Sequence, residues 1–242
     1  MQIPRIYCPG LLAVEQTLQL DKDAANHVGN VLRLREGHPL VLFNGDGNEY
    51  PATLHKVEKR AVWVQVDAKL QMGCESPLRI HLGQGISKGE RMDFVLQKSV
   101  ELGVTEITPL ITERCVVRLD EQRWQKKHQQ WQKIIQSACE QCGRNILPTL
   151  HPVTALSPWL QQSTNELRLT LDPRAEKRMA DLTLPTQGVR LLIGPEGGFA
   201  DQELYLTEQG GFKSVLLGPR VLRTETAALT AIANLQGRFG DL

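Results

Sequence analysis

From residue 78 onward, short apolar runs alternate with segments of helical periodicity, and this alternation constrains the fold more than any other feature of the chain. Strands are expected at 78–82, 106–111, 167–171, 189–193 and 213–217, and helices at 88–102, 121–139, 156–161, 201–209 and 224–238. Met92, Val95, Leu96 and Val100 fall at helical spacing, as do Ala228, Leu229, Ile232 and Leu235, so each of those helices offers one face for burial. Alternation of this kind predicts an α/β domain with a mostly parallel sheet, because parallel strands need a crossover connection, usually a helix.

The first 72 residues read differently. Pro39 to Phe43 runs into Asn44-Gly45-Asp46-Gly47-Asn48, a strong turn signal, and further strands follow at 49–57 and 61–66. In the last of these Val62, Val64 and Val66 alternate on one face. One helix, at 21–32, interrupts them, capped by Asp21 and turning Ala24, Val28, Val31 and Leu32 inward. The pattern predicts a small β-barrel module over residues 1–72. The polar, proline-terminated stretch Gln71-Met72-Gly73-Cys74-Glu75-Ser76-Pro77 is the linker, and the α/β domain occupies 73–242.

Composition excludes several classes. With 41% hydrophobic and 23% charged residues, and no apolar run of about 18 residues, the chain is neither a disordered segment nor a membrane span. Its start, Met1-Gln2-Ile3-Pro4-Arg5, lacks a basic segment followed by an apolar one, so a cytoplasmic location without a membrane partner is expected. Five cysteines are an odd and sparse set that does not suggest a disulfide framework. Cys139-Glu140-Gln141-Cys142 has the spacing of half a zinc site, but no second pair follows it, and these read as ordinary helix-end cysteines. His27, His55, His81, His128 and His151 are scattered in sequence and predict no ligand cluster, so no metal is expected. Net charge is +1, so a polyanion would be met by a local patch rather than by a charged tail.

Ligands of parallel sheets collect beyond the carboxyl ends of strands, where turns expose backbone donors and acceptors. Three such turns lie close in sequence: Leu171-Asp172-Pro173-Arg174, Gly194-Pro195-Glu196-Gly197-Gly198-Phe199, and Leu217-Gly218-Pro219-Arg220 running on to Thr226. Glycine permits close approach by a ligand, and proline fixes φ and removes a competing donor, so a Gly-Pro turn is bare and stiff. Two of them follow near-identical apolar runs, Leu191-Leu192-Ile193 and Val215-Leu216-Leu217, which suggests two walls of one slot suited to a flat heterocycle. Neither G-x-G-x-x-G nor Gly-Lys-Ser/Thr is present, so a dinucleotide fold or a phosphate loop has no support.

"LLIGPEGGFADQEL" followed by "LLGPRVLRTETAALTAI", with "EQCGRN" upstream and "RIY" leading the β-rich module, resembles the ribosomal RNA small subunit methyltransferase E family of the SPOUT superfamily. The likeness runs from Arg5 to Arg238-Phe239-Gly240-Asp241. It implies a PUA-like RNA-binding barrel followed by an α/β domain whose chain end is threaded into a deep trefoil knot. It also implies a homodimer that binds S-adenosyl-L-methionine in the knot and methylates N3 of uridine 1498 in 16S rRNA of the small ribosomal subunit. Neither knot nor dimer follows from periodicity, since chains do not as a rule thread loops.

The same resemblance makes Leu171, Gly194, Pro195, Glu196, Gly197, Gly198, Leu217, Gly218, Val221, Leu222 and Thr226 cofactor positions, with backbone groups of Gly194, Leu217 and Leu222 reading the adenine. Uridine N3 is a poor nucleophile until it loses its proton, so the site needs a general base or a cation that stabilises the developing anion. Arg223 and Glu225 supply both kinds of group at the start of the last helix, although a carboxylate there is also what the helix dipole favours. Thr224 between them is expected to be the helix N-cap, and Arg144 is a candidate clamp on a phosphate or the uracil. Arg5, Arg33, Arg35, Arg114 and Arg118 are candidate phosphate contacts that would position RNA without reading its sequence. Trp124, Trp131 and Ile135 form a packing or dimer stripe. Two alternatives stand beside this reading: the same fold acting on another RNA or on a ribose 2′-hydroxyl, and a non-catalytic RNA-binding assembly factor.

Overall fold

The computed structural model describes residues 3–58, 61–183 and 187–242. Two compact units emerge from its contacts: Met1–Glu75 with Cys139–Leu147, and Ser76–Ala138 with Pro148–Leu242. Residues 139–147, which the sequence division placed in the second domain, thus cluster with the first unit.

The first unit is built on a six-stranded sheet. Its strands are β1 (Arg5–Tyr7), β2 (Thr17–Gln19), β3 (Pro39–Phe43), β4 (Asn48–Val57), β5 (Val62–Val66) and β6 (Leu70–Gln71). The order is β1-β3-β4-β5-β2 with β6 on β4, and only the β1–β3 pair is parallel. The alternation seen in sequence puts Val62, Val64 and Val66 inside, against Ile6, Leu40, Leu42, Tyr50 and Leu54. Helix α1 (Lys22–Asn26) is capped as expected, the Asp21 carboxylate accepting from the Ala24 amide at 2.8 Å. The expected helix does not continue with one pitch to residue 32. From His27 to Val31 the backbone adopts the wider π-helical winding, which advances the phase, so Val28 stays fully buried while Val31 and Leu32 are 62% and 38% exposed.

Seven parallel strands form the sheet of the second unit: β7 (Ile80–Gly85), β8 (Glu106–Ile111), β9 (Thr149–Leu150), β10 (Thr154–Ala155), β11 (Leu167–Leu171), β12 (Val189–Ile193) and β13 (Lys213–Val215). The order is β10-β8-β7-β12-β11-β13, with β9 also on β8. Every residue of β7 and β12, the two central strands, is buried, as a sheet covered on both faces requires. The helices are α2 (Glu90–Glu101), α3 (Glu121–Cys142), α4 (Leu156–Leu160), α5 (Asp201–Gln209) and α6 (Thr224–Phe239). Leu110, Leu156, Trp159, Leu160, Leu192, Phe199 and Phe212 make one buried cluster, while α6 packs on α2 and reaches β12. The strands and helices expected here all occur, with ends shifted by up to three residues; β9 and β10, two residues each, are too short to leave a periodic signal.

Two glycines in β7 are there for space. A Cβ on Gly83 would lie 2.4 Å from the Trp159 ring, and one on Gly85 would lie 2.5 Å from the Pro195 nitrogen. The first lets the ring of a core tryptophan come against the backbone of β7. The second lets the turn after β12 sit directly on the end of β7.

Candidate active site

Each expected turn leaves the carboxyl end of a strand: Leu171 closes β11, Gly194 follows β12 and Leu217 comes two residues after β13. These three strands are neighbours, with β11 between β12 and β13, so the turns converge on one side of the sheet. They bound a cavity of about 660 Å³. Leu171, Gly194, Pro195, Glu196, Gly197, Gly198, Leu217, Gly218, Val221, Leu222, Arg223 and Glu225 all line it, and so does Arg114.

The turns are held by few, specific bonds. Thr224 Oγ1 donates to the Gly194 carbonyl at 2.6 Å and accepts from Gln84 Nε2 at 3.0 Å, which ties the start of α6 to the turn after β12 and to β7. The N-cap position of α6 belongs to Arg223, in extended conformation, rather than to Thr224. The threonine hydroxyl is spent on fixing the turn. Phe199, in the apolar cluster, anchors the far end of the Gly194–Phe199 segment. Gly198 sits at φ +67°, a left-handed conformation that a side chain would strain.

Glu196 closes one edge of the cavity. Its carboxylate accepts from the Lys88 amide at 2.9 Å and from the Arg91 guanidinium at 3.0 Å. Burial would raise its pKa, but these hydrogen bonds and the Arg91 charge outweigh that and hold the group below the ordinary carboxylate range. Arg91 also approaches Glu225, Nε to Oε1 3.8 Å. The other oxygen of Glu225, Oε2, is buried and has no hydrogen-bond partner among the described residues. At the opposite edge Asp172 accepts from the Arg174 amide and guanidinium, which hold its pKa down against the contrary effect of burial. The guanidinium groups of Arg220 and Arg223 carry no hydrogen bond or ion pair among the described residues. Five arginines and four carboxylates line the cavity, so it offers both a partner for a cation and donors for an anion.

The remaining expected residues lie elsewhere. Thr226 is exposed on the first turn of α6 and does not line the cavity. Arg144 is in the first unit, buried, and gripped by Glu75 through Nε (3.1 and 3.2 Å) and Nη2 (2.5 Å). In the same unit Arg5 pairs with Glu49, donates to Asn145 Oδ1 at 2.5 Å and stacks on Phe43. Arg33, at φ +52°, and Arg35 are exposed in the segment after α1, and Arg118 is exposed after β8, donating to the Glu113 carbonyl at 3.1 Å. Trp131 is buried in the second unit, its indole donating to Asp93 at 3.0 Å, so that part of the aromatic stripe is packing. Cys139 is also buried, which pushes its thiol up to about 12 and leaves it unreactive.

Gln84, Gly85 and Arg91 escaped sequence reading. The paired glycines of His81-Leu82-Gly83-Gln84-Gly85 inside a strand are a signal of close backbone approach. The histidines, moreover, are not all scattered: His81 and His151 stack at 5.1 Å, at the other end of the sheet.

Comparison with known proteins gives this geometry a lineage. A family model for an RNA methyltransferase domain matches residues 74–236, and one for an RNA methyltransferase PUA domain matches residues 20–67. Ribosomal RNA small subunit methyltransferase E of Buchnera aphidicola subsp. Schizaphis graminum is 40% identical over 242 residues, covering 100% of this chain and 98% of its own. The chain belongs to the ribosomal RNA small subunit methyltransferase E family. The Bacillus subtilis member is 32% identical over 90% of this chain and 88% of its own. Among solved structures, the Neisseria gonorrhoeae member, bound to S-adenosyl methionine, superposes with a TM-score of 0.93 at 41% identity, both chains covered completely. A Legionella pneumophila protein solved in complex with the bound cofactor SAM gives 0.98 at 50% identity, again over both whole chains. Every residue lining the cavity falls within the matched RNA methyltransferase domain.

Proposed function

We propose that the chain transfers the methyl group of S-adenosyl-L-methionine to N3 of uridine 1498 in 16S rRNA. The cavity at the ends of β11, β12 and β13 is the observation that carries this reading. At about 660 Å³ it lies within the roughly 300–1,000 Å³ of small-ligand sites. Nothing stands within 4 Å of where a side chain would begin on Gly198 or Gly218, so backbone there is open to a ligand. The carboxylates of the rim suit a cationic sulfonium, and the unpartnered arginines suit an RNA phosphate or a developing anion. Similar proteins solved with this cofactor bound support the same choice.

When bound, S-adenosyl-L-methionine supplies an electrophilic methyl group on a sulfonium. The protein's part is alignment and proton handling. The turns at Leu171, Gly194 and Leu217 hold the donor, and Glu196 with Arg91 keeps the Gly194 turn from opening. As the N3 lone pair forms the new bond to carbon, the carbon–sulfur bond breaks and its electron pair leaves with sulfur. The N3 proton passes to the unpartnered oxygen of Glu225, and Arg223 donates to the carbonyl oxygens that flank N3. Arg114 on the cavity wall, with Arg118, Arg33 and Arg35, meets RNA phosphates. Arg5 and Arg144 act through their ion pairs with Glu49 and Glu75, which shape the residues around them.

The chain end is read as the family's trefoil knot. Supporting this, the Met179 amide donates to the Leu216 carbonyl and the Leu216 amide to the Lys177 carbonyl across the loops after β11 and β13, and Arg238 donates to the carbonyls of Met179 and Leu182. A homodimer and a cytoplasmic location follow from the same family reading; no helix among the described residues is long and apolar enough to cross a membrane. The division into a barrel at 1–72 and a methyltransferase domain at 73–242 is retained as the family arrangement.

The test is a methylation assay with purified protein, radiolabelled donor and small ribosomal subunits, followed by nucleoside analysis. Label in N3-methyluridine is expected, and it survives removal of the sugar. Label lost with the ribose would instead establish the 2′-hydroxyl as the target.

A further inference from the structure

At the end of the sheet opposite the cavity, we propose that His81, Glu106 and His151 form a binding site for a zinc-class divalent cation. Strand register assembles it. His81 of β7 pairs directly with Glu106 of β8, which places the two side chains on one face, and Glu106 pairs with Thr149 of β9. Two residues on, the His151 amide donates to the Ile107 carbonyl at 2.8 Å and fixes the backbone of the third ligand.

One nitrogen from each imidazole and one carboxylate oxygen lie within 4.8 Å of one another. His151 Nε2 is 2.8 Å from Glu106 Oε2, and His81 Nδ1 is 3.9 Å from the same oxygen. Ligands about 2.0–2.1 Å from a tetrahedral ion stand roughly 3.3 Å apart, so small side-chain rotations close the site around a cation. The cation then takes the place of the direct His151–Glu106 contact. Outer partners are already in place: Thr108 Oγ1 holds the far nitrogen of His81 at 2.8 Å, and Arg79 holds Glu106 Oε1 at 2.9 Å, which leaves Oε2 for the ion. A cavity of about 740 Å³ reaches His81 and Glu106 and admits water as the fourth ligand.

Two guanidinium groups oppose a cation here, and each is countered. Arg79 is spent on Glu106, while Arg190 pairs with Glu166 at 3.3 Å and lies over the Trp159 ring at 5.1 Å. Two imidazoles and one carboxylate select zinc over magnesium or calcium, which take oxygen ligands. The ion would staple β7, β8 and the segment after β9 and take no part in methyl transfer, so this inference stands apart from the proposed reaction.

The test titrates zinc and cobalt(II) into chelator-stripped, full-length protein, alongside H151A, E106Q and a C74S/C142S double variant. One equivalent is expected to bind, to raise the Tm, and to give a cobalt spectrum without thiolate charge transfer. Both H151A and E106Q should lose at least tenfold in affinity and the Tm shift, and C74S/C142S should keep both. E106Q, which preserves shape and hydrogen bonding, guards against misfolding of H151A. The proposal is overturned by the absence of a zinc-dependent Tm shift, by a thiolate band, or by undiminished binding in both ligand variants.

Discussion

The two ends of the parallel sheet differ in how fully their charged side chains are paired. At the amino ends of β7, β8, β11 and β12, charged side chains answer one another: Arg79 with Glu106, Arg190 with Glu166, His151 with Glu106. Burial and the nearby Arg190 push His81 there down to about 4, so its ring is neutral. At the carboxyl ends of β11, β12 and β13 bare Gly-Pro turns carry a rim in which Glu196 pairs with Arg91 and Asp172 with Arg174, while Arg220, Arg223 and the inner oxygen of Glu225 have no partner among the described residues. Buried polar groups are normally paired, so the unpartnered Glu225 oxygen marks a place where a ligand can supply the missing contact, and the exposed guanidinium groups of Arg220 and Arg223 stand beside it to meet an anion. The difference teaches that polarity alone does not locate the site; an unpartnered buried carboxylate oxygen facing a cavity of bare turns does.

Variants at each end sharpen that contrast. The largest effect is expected from R223A and E225Q. Each should slow single-turnover methylation by about 100- to 1,000-fold, or roughly 3–4 kcal/mol in barrier, with cofactor affinity and denaturation midpoint near wild type. A drop in cofactor affinity of the same size would move these residues from chemistry to binding. Next comes the paired end: R190A strands the half-buried Glu166 and should cost about 3 kcal/mol in urea denaturation, leaving cofactor affinity intact. Loss of cofactor binding in that variant would break the separation of the two ends. G198A forces a side chain into the left-handed conformation of the cavity turn and should cost about 1–2 kcal/mol, read as a 5- to 30-fold loss of cofactor affinity by calorimetry.

The smallest effect concerns Glu196. Its folded-state pKa is depressed, so its grip on the turn is complete above the ordinary carboxylate range and is lost as pH falls through the folded value. Cofactor affinity should therefore stay flat from neutrality to about pH 4.5 and weaken severalfold below it, and E196Q should flatten the profile. The partly exposed pair limits the size of the change.

Much of this was legible in the sequence, for physical reasons. Helical and strand periods are written directly in residues such as Met92, Val95 and Leu96 or Val62, Val64 and Val66, because burial selects them. The Gly-Pro turns were legible because bare, stiff backbone has few other uses. Partnership was not. That Thr224 fixes Gly194 instead of capping its own helix, or that Arg144 faces Glu75, depends on residues 30 and 69 positions away in sequence. Arg91 reaches the cavity by its place on the first turn of α2, and a lone arginine in sequence has no mark of that. The π-helical turn at His27–Val31 exposed two residues that ideal periodicity had buried, since a change of winding has no apolar signature of its own.

The most direct test of the account is the state of uridine 1498 in cells that lack this protein. Mass mapping of 16S rRNA from such cells should show that uridine unmethylated, with N3 methylation restored by the wild-type gene and not by R223A or E225Q. Full N3 methylation at that position without the protein, or its restoration by both variants, would contradict the assignment of the cavity to that reaction.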